Sequence, residues 1–287
     1  MPCFAFNRRP QNMLAGVLMA LLCAAGSLAT ARAQGAANEE TPIPDFSSNG
    51  VGWIAQGVNF QSPASGPHQV TNDPAHPFRP PGRGEAPTWR IADLNNPILQ
   101  AWAREQLKTN NDRILAGGTG YTRQVSCWPM GVPAFLLYPA QPVYIVQASK
   151  EVLLIAQMND EVRHVYLNVP HSETVKPSWY GESIGHYEGD TLVIDTIGLN
   201  NKTFLDNWRT PHTDKLHVTE RWRMIEDGKK LEILITIDDP DTFNQPWQAL
   251  RQFERVKRNL VEDICSENNI NPFGIDYGTP VAEKPDF

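Results

Sequence analysis

Glu220 is the residue whose setting most needs explaining. In the run 216–225, Leu216, Val218, Glu220, Trp222 and Met224 alternate with His217, Thr219, Arg221 and Arg223. Side chains on a strand alternate faces, and the apolar content of the first set marks it as the buried one. A carboxylate on such a face is costly unless it is paired or protonated. Glu220 is therefore a candidate general acid/base with a raised pKa, or a ligand anchor. The competing reading is an ion pair across the sheet with Arg163 or Arg251.

The same logic singles out His164, which alternates with Val162 and Tyr166, and Asp195, which lies between Val193 and Ile197. If these side chains share one barrel interior with Glu220, the set could move protons. A second cluster is His212-Thr213-Asp214-Lys215-Leu216-His217-Val218-Thr219-Glu220. His212 and His217 are acid/base candidates at a loop–strand junction. Histidine and carboxylate also suit Zn, Fe or Mn, but His217 and Glu220 point to opposite faces, so no metal site is assigned. Trp179, Tyr187, Trp208 and Trp222 are candidates for stacking on a substrate, or else plugs for a barrel. Gly181-Glu182-Ser183-Ile184-Gly185 has the letters of a serine nucleophile elbow but precedes a hairpin, not a strand-to-helix turn.

Strands must position these residues. Period-two alternation predicts strands over 143–148, 152–157, 162–168, 183–187, 191–197, 216–225, 231–238 and 246–256. Asn159-Asp160, Gly189-Asp190 and Asp227-Gly228 supply residues that tolerate positive φ in tight hairpins. Consecutive strands with short turns favour a single antiparallel up-and-down, lipocalin-like barrel, with a β-sandwich as the alternative. One short helix is predicted over Ile98–Lys108, capped by Asn95 or Asn96 with Pro97 in its first turn, and decaying at Asn110, Asn111 and Gly117-Gly118. Residues 34–90 carry seven prolines between Pro63 and Pro87. Proline lacks the amide donor a central strand needs, so this stretch reads as an extended strap anchored by Trp53, Phe60, Phe78 and Trp89. The remaining residues, 91–287, read as the helix-plus-barrel domain.

The first 33 residues read as a secretory address. Arg8 and Arg9 precede an uncharged apolar run, Met13 to Ala29, and Ala31-Arg32-Ala33 is a small-x-small cleavage pattern. A Sec signal cleaved after Ala33 implies a periplasmic or secreted protein with no integral membrane segment left. The whole chain of 287 residues has net charge −7; the leader takes three Arg and no Asp or Glu. That leaves 22 basic against 32 acidic residues, a net charge of −10 on 254 residues. So acidic a chain is a poor partner for nucleic acid. Of four cysteines, Cys127 and Cys265 remain. In an oxidising compartment they are expected to pair; otherwise Cys127 could be a nucleophile.

Several motifs point the same way: Cys127-x-Pro129-x-Gly131-x-Pro133, then Pro177-Ser178-Trp179-x-Gly181-x-Ser183-Ile184-Gly185 running into Glu188-Gly189-Asp190. Pro211-His212 with Leu216-His217-Val218-x-Glu220-Arg221, Asp239-Pro240-x-x-Phe243-x-x-Pro246-Trp247 and Cys265-x-Glu267-x-Asn269 complete the set. Together these resemble a large family of exported bacterial proteins with no assigned activity. The resemblance spans about residues 125–270 and implies export and a lipocalin-like barrel. Tyr187 stands where relatives carry Trp, and Glu161 where they are basic, which implies a different ligand. The expected function is cofactor-free acid/base catalysis, of lyase, hydratase or isomerase type, on a small apolar or aromatic molecule. The candidate residues are Glu220, His217, His212, His164 and Asp195. The alternatives are a non-catalytic periplasmic carrier and a metal-dependent oxidoreductase or hydrolase.

Overall fold

Alternation at period two becomes a closed barrel in the computed structural model, which describes residues 43–47, 52–79, 89–138 and 141–268. Eight strands lie where the sequence predicts them. They are β2 (Val143–Gln147), β3 (Glu151–Ala156), β4 (Glu161–Leu167), β5 (Glu182–Glu188), β6 (Thr191–Ile197), β7 (His217–Ile225), β8 (Lys230–Asp238) and β9 (Trp247–Val256). A ninth, β1 (Gly52–Ala55), precedes them and closes the ring between β9 and β2. The signal segment 1–33 lies outside the described residues.

β1 corrects the strap. Four residues are too few for alternation to register, yet Trp53 and Ala55 face the core and Gly52–Ala55 pairs along Phe253–Val256. Downstream the chain keeps its extended course beside β9: Gln61 exchanges both backbone hydrogen bonds with Leu250, and Gln248 N–H donates to the Pro67 carbonyl. Of the four expected anchors, Trp53 and Phe60 are buried, Phe78 is half-buried under Arg90, and Trp89 is exposed.

One pair departs from an up-and-down order. β4 and β5 are parallel, with Val165 opposite Ser183. The segment 168–181 therefore returns along the barrel before β5 begins. The hairpins use the foreseen residues: Asn159 and Asp160 have φ of 58° and 48°, and Gly189 has φ of 61°.

The helix α1 runs Ala101–Leu115, three residues later than expected at its start and seven later at its end. Ile98 and Leu99 are diverted into pairing: Asn244 N–H donates to the Ile98 carbonyl, and Leu99 bridges to Phe243. Asn111 does not end the helix, because its side chain bonds both the N–H and the carbonyl of Ala92, each at 2.9 Å. Gly117, with φ of 88°, follows the end. A four-residue helix α2 (Cys265–Asn268) carries the second half of the Cys127–Cys265 disulfide, which spans 138 residues.

The registers place the long connections at one end of the barrel. The excursion 56–142 between β1 and β2, the loop 198–216 between β6 and β7 and the loop 239–246 between β8 and β9 all leave there, whereas β2–β3, β5–β6 and β7–β8 close the opposite end with tight turns. Trp53, Trp222, Trp247, Phe253, Arg163 and Arg251, all fully buried, fill the interior.

Candidate functional site

The residues expected to converge do not. Glu220 faces inward as predicted, fully buried, and its carboxylate meets the Arg163 guanidinium at 2.5 Å. Arg163 also donates to Thr196 Oγ1 at 2.9 Å and Ser183 Oγ at 3.1 Å. This is the structural reading of Glu220: a sealed ion pair with hydroxyl neighbours, distant from solvent.

His164 lies on the outer wall, half exposed beside Glu151 at 3.1 Å and stacked on Tyr166. The opposite phase of β4 faces in, because its charges have partners there. Arg163 meets Glu220, and the buried Glu161 accepts from Tyr138 Oη at 2.8 Å and from Tyr180 Oη. Burial raises the Glu161 pKa, and the two tyrosine bonds partly oppose this. Sequence reasoning treated Glu161 only as an unusual residue; reading β4 in the other phase would have found it.

Asp195 is also on the outer wall. It accepts from His217 Nε2 at 2.6 Å and from His171 Nε2 at 2.7 Å, and the other ring nitrogen of His171 meets Glu182 at 2.9 Å. Burial alone would raise the Asp195 pKa, but the two histidines hold it below the ordinary range, and the Asp195 bond raises that of His217. So Asp195 and His217 do form a unit, on the opposite side of the wall from Glu220.

The four expected stacking residues are likewise scattered. Trp222 is inside the barrel, and Tyr187 accepts from Gln147 at 2.7 Å. Trp208 is buried, donating to Asn72 at 2.8 Å. Trp179 packs against Trp128 near the disulfide, ring centroids 5.5 Å apart.

His212 is where a cleft forms. It belongs to the 198–216 loop at the barrel end. The loop is shaped by two buried aspartates. Asp206 accepts from the N–H groups of Trp208 and Thr210 and from Thr210 Oγ1, and Asp239 holds the N–H and Oγ1 of Thr213 at 2.7 and 2.9 Å. The second clamp sets His212. Its Nδ1 lies 2.9 Å from the Thr213 carbonyl, which can only accept, so Nδ1 carries the hydrogen. Its Nε2 lies 2.7 Å from Thr203 Oγ1. Burial lowers the His212 pKa, opposed by the Thr213 bond. The ring is therefore neutral near pH 7, with the Nε2 lone pair directed at the Thr203 hydroxyl. A nucleophile or proton carrier, a base and a group orienting the base are the parts that acid/base and nucleophilic catalysis need.

Thr203 and His212 line an opening of about 540 Å³, together with Trp102 and Gln106 of α1, Phe204 and Arg123. Gly131 permits this packing. It has φ of 71°, and a Cβ there would sit 2.7 Å from Thr203 Cγ2. Arg123 is 9% exposed and lies among aromatic faces, 4.3 Å from the Phe204 centroid and 5.1 Å from that of Tyr121. Neither Thr203 nor Arg123 stood out in the sequence. Each depends on a tertiary neighbour with no local signature.

Among the described residues, no group of three or more His, Cys, Asp or Glu side chains could hold a metal ion. None of their helices is long and apolar enough to cross a membrane. In comparison with known proteins, no family model matches the chain, and no curated protein matches it.

Proposed function

We propose that this protein is an exported enzyme that performs cofactor-free acid/base chemistry, of lyase, hydratase or isomerase type, on a small molecule held in the barrel-end cleft. The observation carrying this is the neutral His212, its tautomer set by the Thr213 carbonyl and its Nε2 against Thr203, at the wall of a cavity of ligand size. In the proposed step a substrate proton passes to Thr203 Oγ1 as the Thr203 proton passes to His212 Nε2. The product is a substrate anion beside Arg123 and an imidazolium at His212. Glu220, His164 and Asp195 have no part in it. His217 remains outside the cleft.

Export is supported by the leader-like N-terminus and the Cys127–Cys265 disulfide. The motif resemblance to exported bacterial proteins agrees with it. A second reading, a non-catalytic carrier, is favoured by one observation: Thr203 already occupies the His212 lone pair, and both side chains are almost fully buried.

The test compares wild type with His212→Gln and Thr203→Val, each incubated with a pooled extract of small organic molecules and followed by untargeted mass spectrometry. At least one compound should be consumed by wild type and by neither variant. Compounds that bind wild type but return unchanged would leave the carrier reading in place of the enzyme.

A further inference from the structure

Beside the His212 opening lies a second cavity, of about 470 Å³, and the charged side chains among its described lining residues are all arginines. α1 contributes Gln106, Thr109, Asn110 and Arg113, spaced i, i+3, i+4 and i+7, so they form one stripe of the helix. The buried stripe of the same helix is Ala103, Leu107 and Asn111. Arg123 and Arg209 complete the basic lining, and Tyr121 and Phe204 add ring surface; among the described residues no carboxylate lines this cavity.

Two of the arginines are held in place by backbone carbonyls. Arg113 Nε donates to the Thr119 carbonyl at 3.2 Å and Arg209 to the Arg90 carbonyl at 2.7 Å. Arg209 has a left-handed backbone, φ of 67°, and burial pulls its pKa down to about 10. Gly120 makes room for it, since a Cβ there would sit 2.9 Å from Arg209 Nη1. The Arg123 side chain has neither a hydrogen bond nor an ion pair among the described residues, and its Nε is buried without a partner. Asp206 lines the narrow neck that it shares with Arg123 and Arg209, and its charge acts on Arg209. Its hydrogen bonds go to its own loop, and burial raises its pKa. Asp214 and Asp241 line the His212 opening.

A cation almost withdrawn from water and left unpaired is costly, and such charges are normally paired or bound to a ligand. A guanidinium accepts carboxylate or phosphate oxygens in a forked geometry. We infer that this cavity binds the oxyanion of a small aryl carboxylate or aryl phosphate: Arg123 receives the anion, and the ring of the ligand lies against Phe204. This deepens the proposed function by naming its substrate class, and rests on that reading only for the direction of the ligand. Arg123, Phe204 and Gln106 line both openings, so a molecule anchored here extends towards Thr203 and His212.

The test is calorimetric titration of the disulfide-intact protein at low salt with phenyl phosphate, benzoate and inorganic phosphate. Phenyl phosphate and benzoate should bind saturably, with inorganic phosphate at least tenfold weaker than phenyl phosphate. Arg123→Gln should weaken both aryl anions at least tenfold. Thr109→Glu, at an exposed helix position, brings a competing carboxylate without touching the core and should do the same. His212→Gln should bind like wild type. Failure of both aryl anions to bind wild type, or unchanged binding in both Arg123→Gln and Thr109→Glu, would overturn the site. Equal affinities for inorganic and phenyl phosphate would overturn its aryl part. Binding retained with no compound converted removes the acid/base reading alone, and conversion without oxyanion binding removes the anion site alone.

Discussion

Arg251 and Arg123 are both buried, and neither has a carboxylate partner among the described residues. Arg251, inside the barrel, spends its donors on four carbonyls: Leu136 at 2.9 Å, Gln56 and Asn59 at 2.8 Å each, and Gly57 at 3.1 Å. It ties β9 to the segment leaving β1 and to the 3₁₀ turn at Leu136. Arg123, at the barrel end, donates to nothing among the described residues and is held by aromatic faces. One arginine is spent on the fold, the other is kept for something that enters. Other interior charges follow the first pattern in being paired, Arg163 with Glu220 and Glu161 with two tyrosines. A barrel of this kind can carry buried charge in two ways, and only the unanswered kind marks a binding site.

That contrast can be attacked from several sides. The largest effect concerns neither arginine. Reducing Cys127–Cys265 opens a loop of 138 residues, which by loop-closure entropy is worth roughly 5 kcal/mol; urea unfolding with and without reductant measures it. Removing one half of an interior pair comes next. Glu220→Ala leaves Arg163 buried and unpaired, at a cost of about 3–5 kcal/mol. The double change Arg163→Met with Glu220→Leu should recover most of that loss. Arg251→Met strands its carbonyls and should cost at least about 3 kcal/mol.

The outer-wall pair gives a smaller, pH-dependent effect. The depressed Asp195 pKa contributes stability above the ordinary aspartate range, lost as pH falls through the folded value. The raised His217 pKa contributes stability below the ordinary histidine range, lost as pH rises through the folded value. Their joint contribution is therefore greatest between roughly pH 4 and 6.5. The pair is partly exposed, so it should be worth under about 1 kcal/mol and should fade with salt. His217→Gln should lower stability within that window and flatten its pH dependence on either side, while leaving oxyanion binding unchanged.

The barrel was readable because alternation repeats along β2 to β9, and the inward phase of β7 was clear from four apolar residues around Glu220. β4 was ambiguous: Val162, His164 and Tyr166 are as apolar a set as Glu161, Arg163, Val165 and Leu167. Only Tyr138, Tyr180 and Glu220, remote in sequence, decide between them. Asp195 fails similarly, since β6 is buried on nearly every residue and offers no polar phase. Of the site, His212 was visible as a histidine at a loop–strand junction. Its partner Thr203 and the role of the Thr213 carbonyl are loop geometry. Arg123 sits in a 3₁₀ turn beside Cys127, where no periodicity operates, and its significance is the lack of a partner, which no local pattern records.

The central claim is that Arg123 is held ready for a ligand and Arg251 for the fold. Urea unfolding of wild type and Arg123→Met, each with and without saturating phenyl phosphate, tests it most directly. Without ligand, Arg123→Met should match wild type within about 1 kcal/mol, since no bond is lost and an unpaired buried charge is removed. Phenyl phosphate should raise the unfolding midpoint of wild type and leave that of Arg123→Met unmoved. A loss of about 3 kcal/mol or more in ligand-free Arg123→Met, as expected for Arg251→Met, or an equal ligand shift in both proteins, would contradict it.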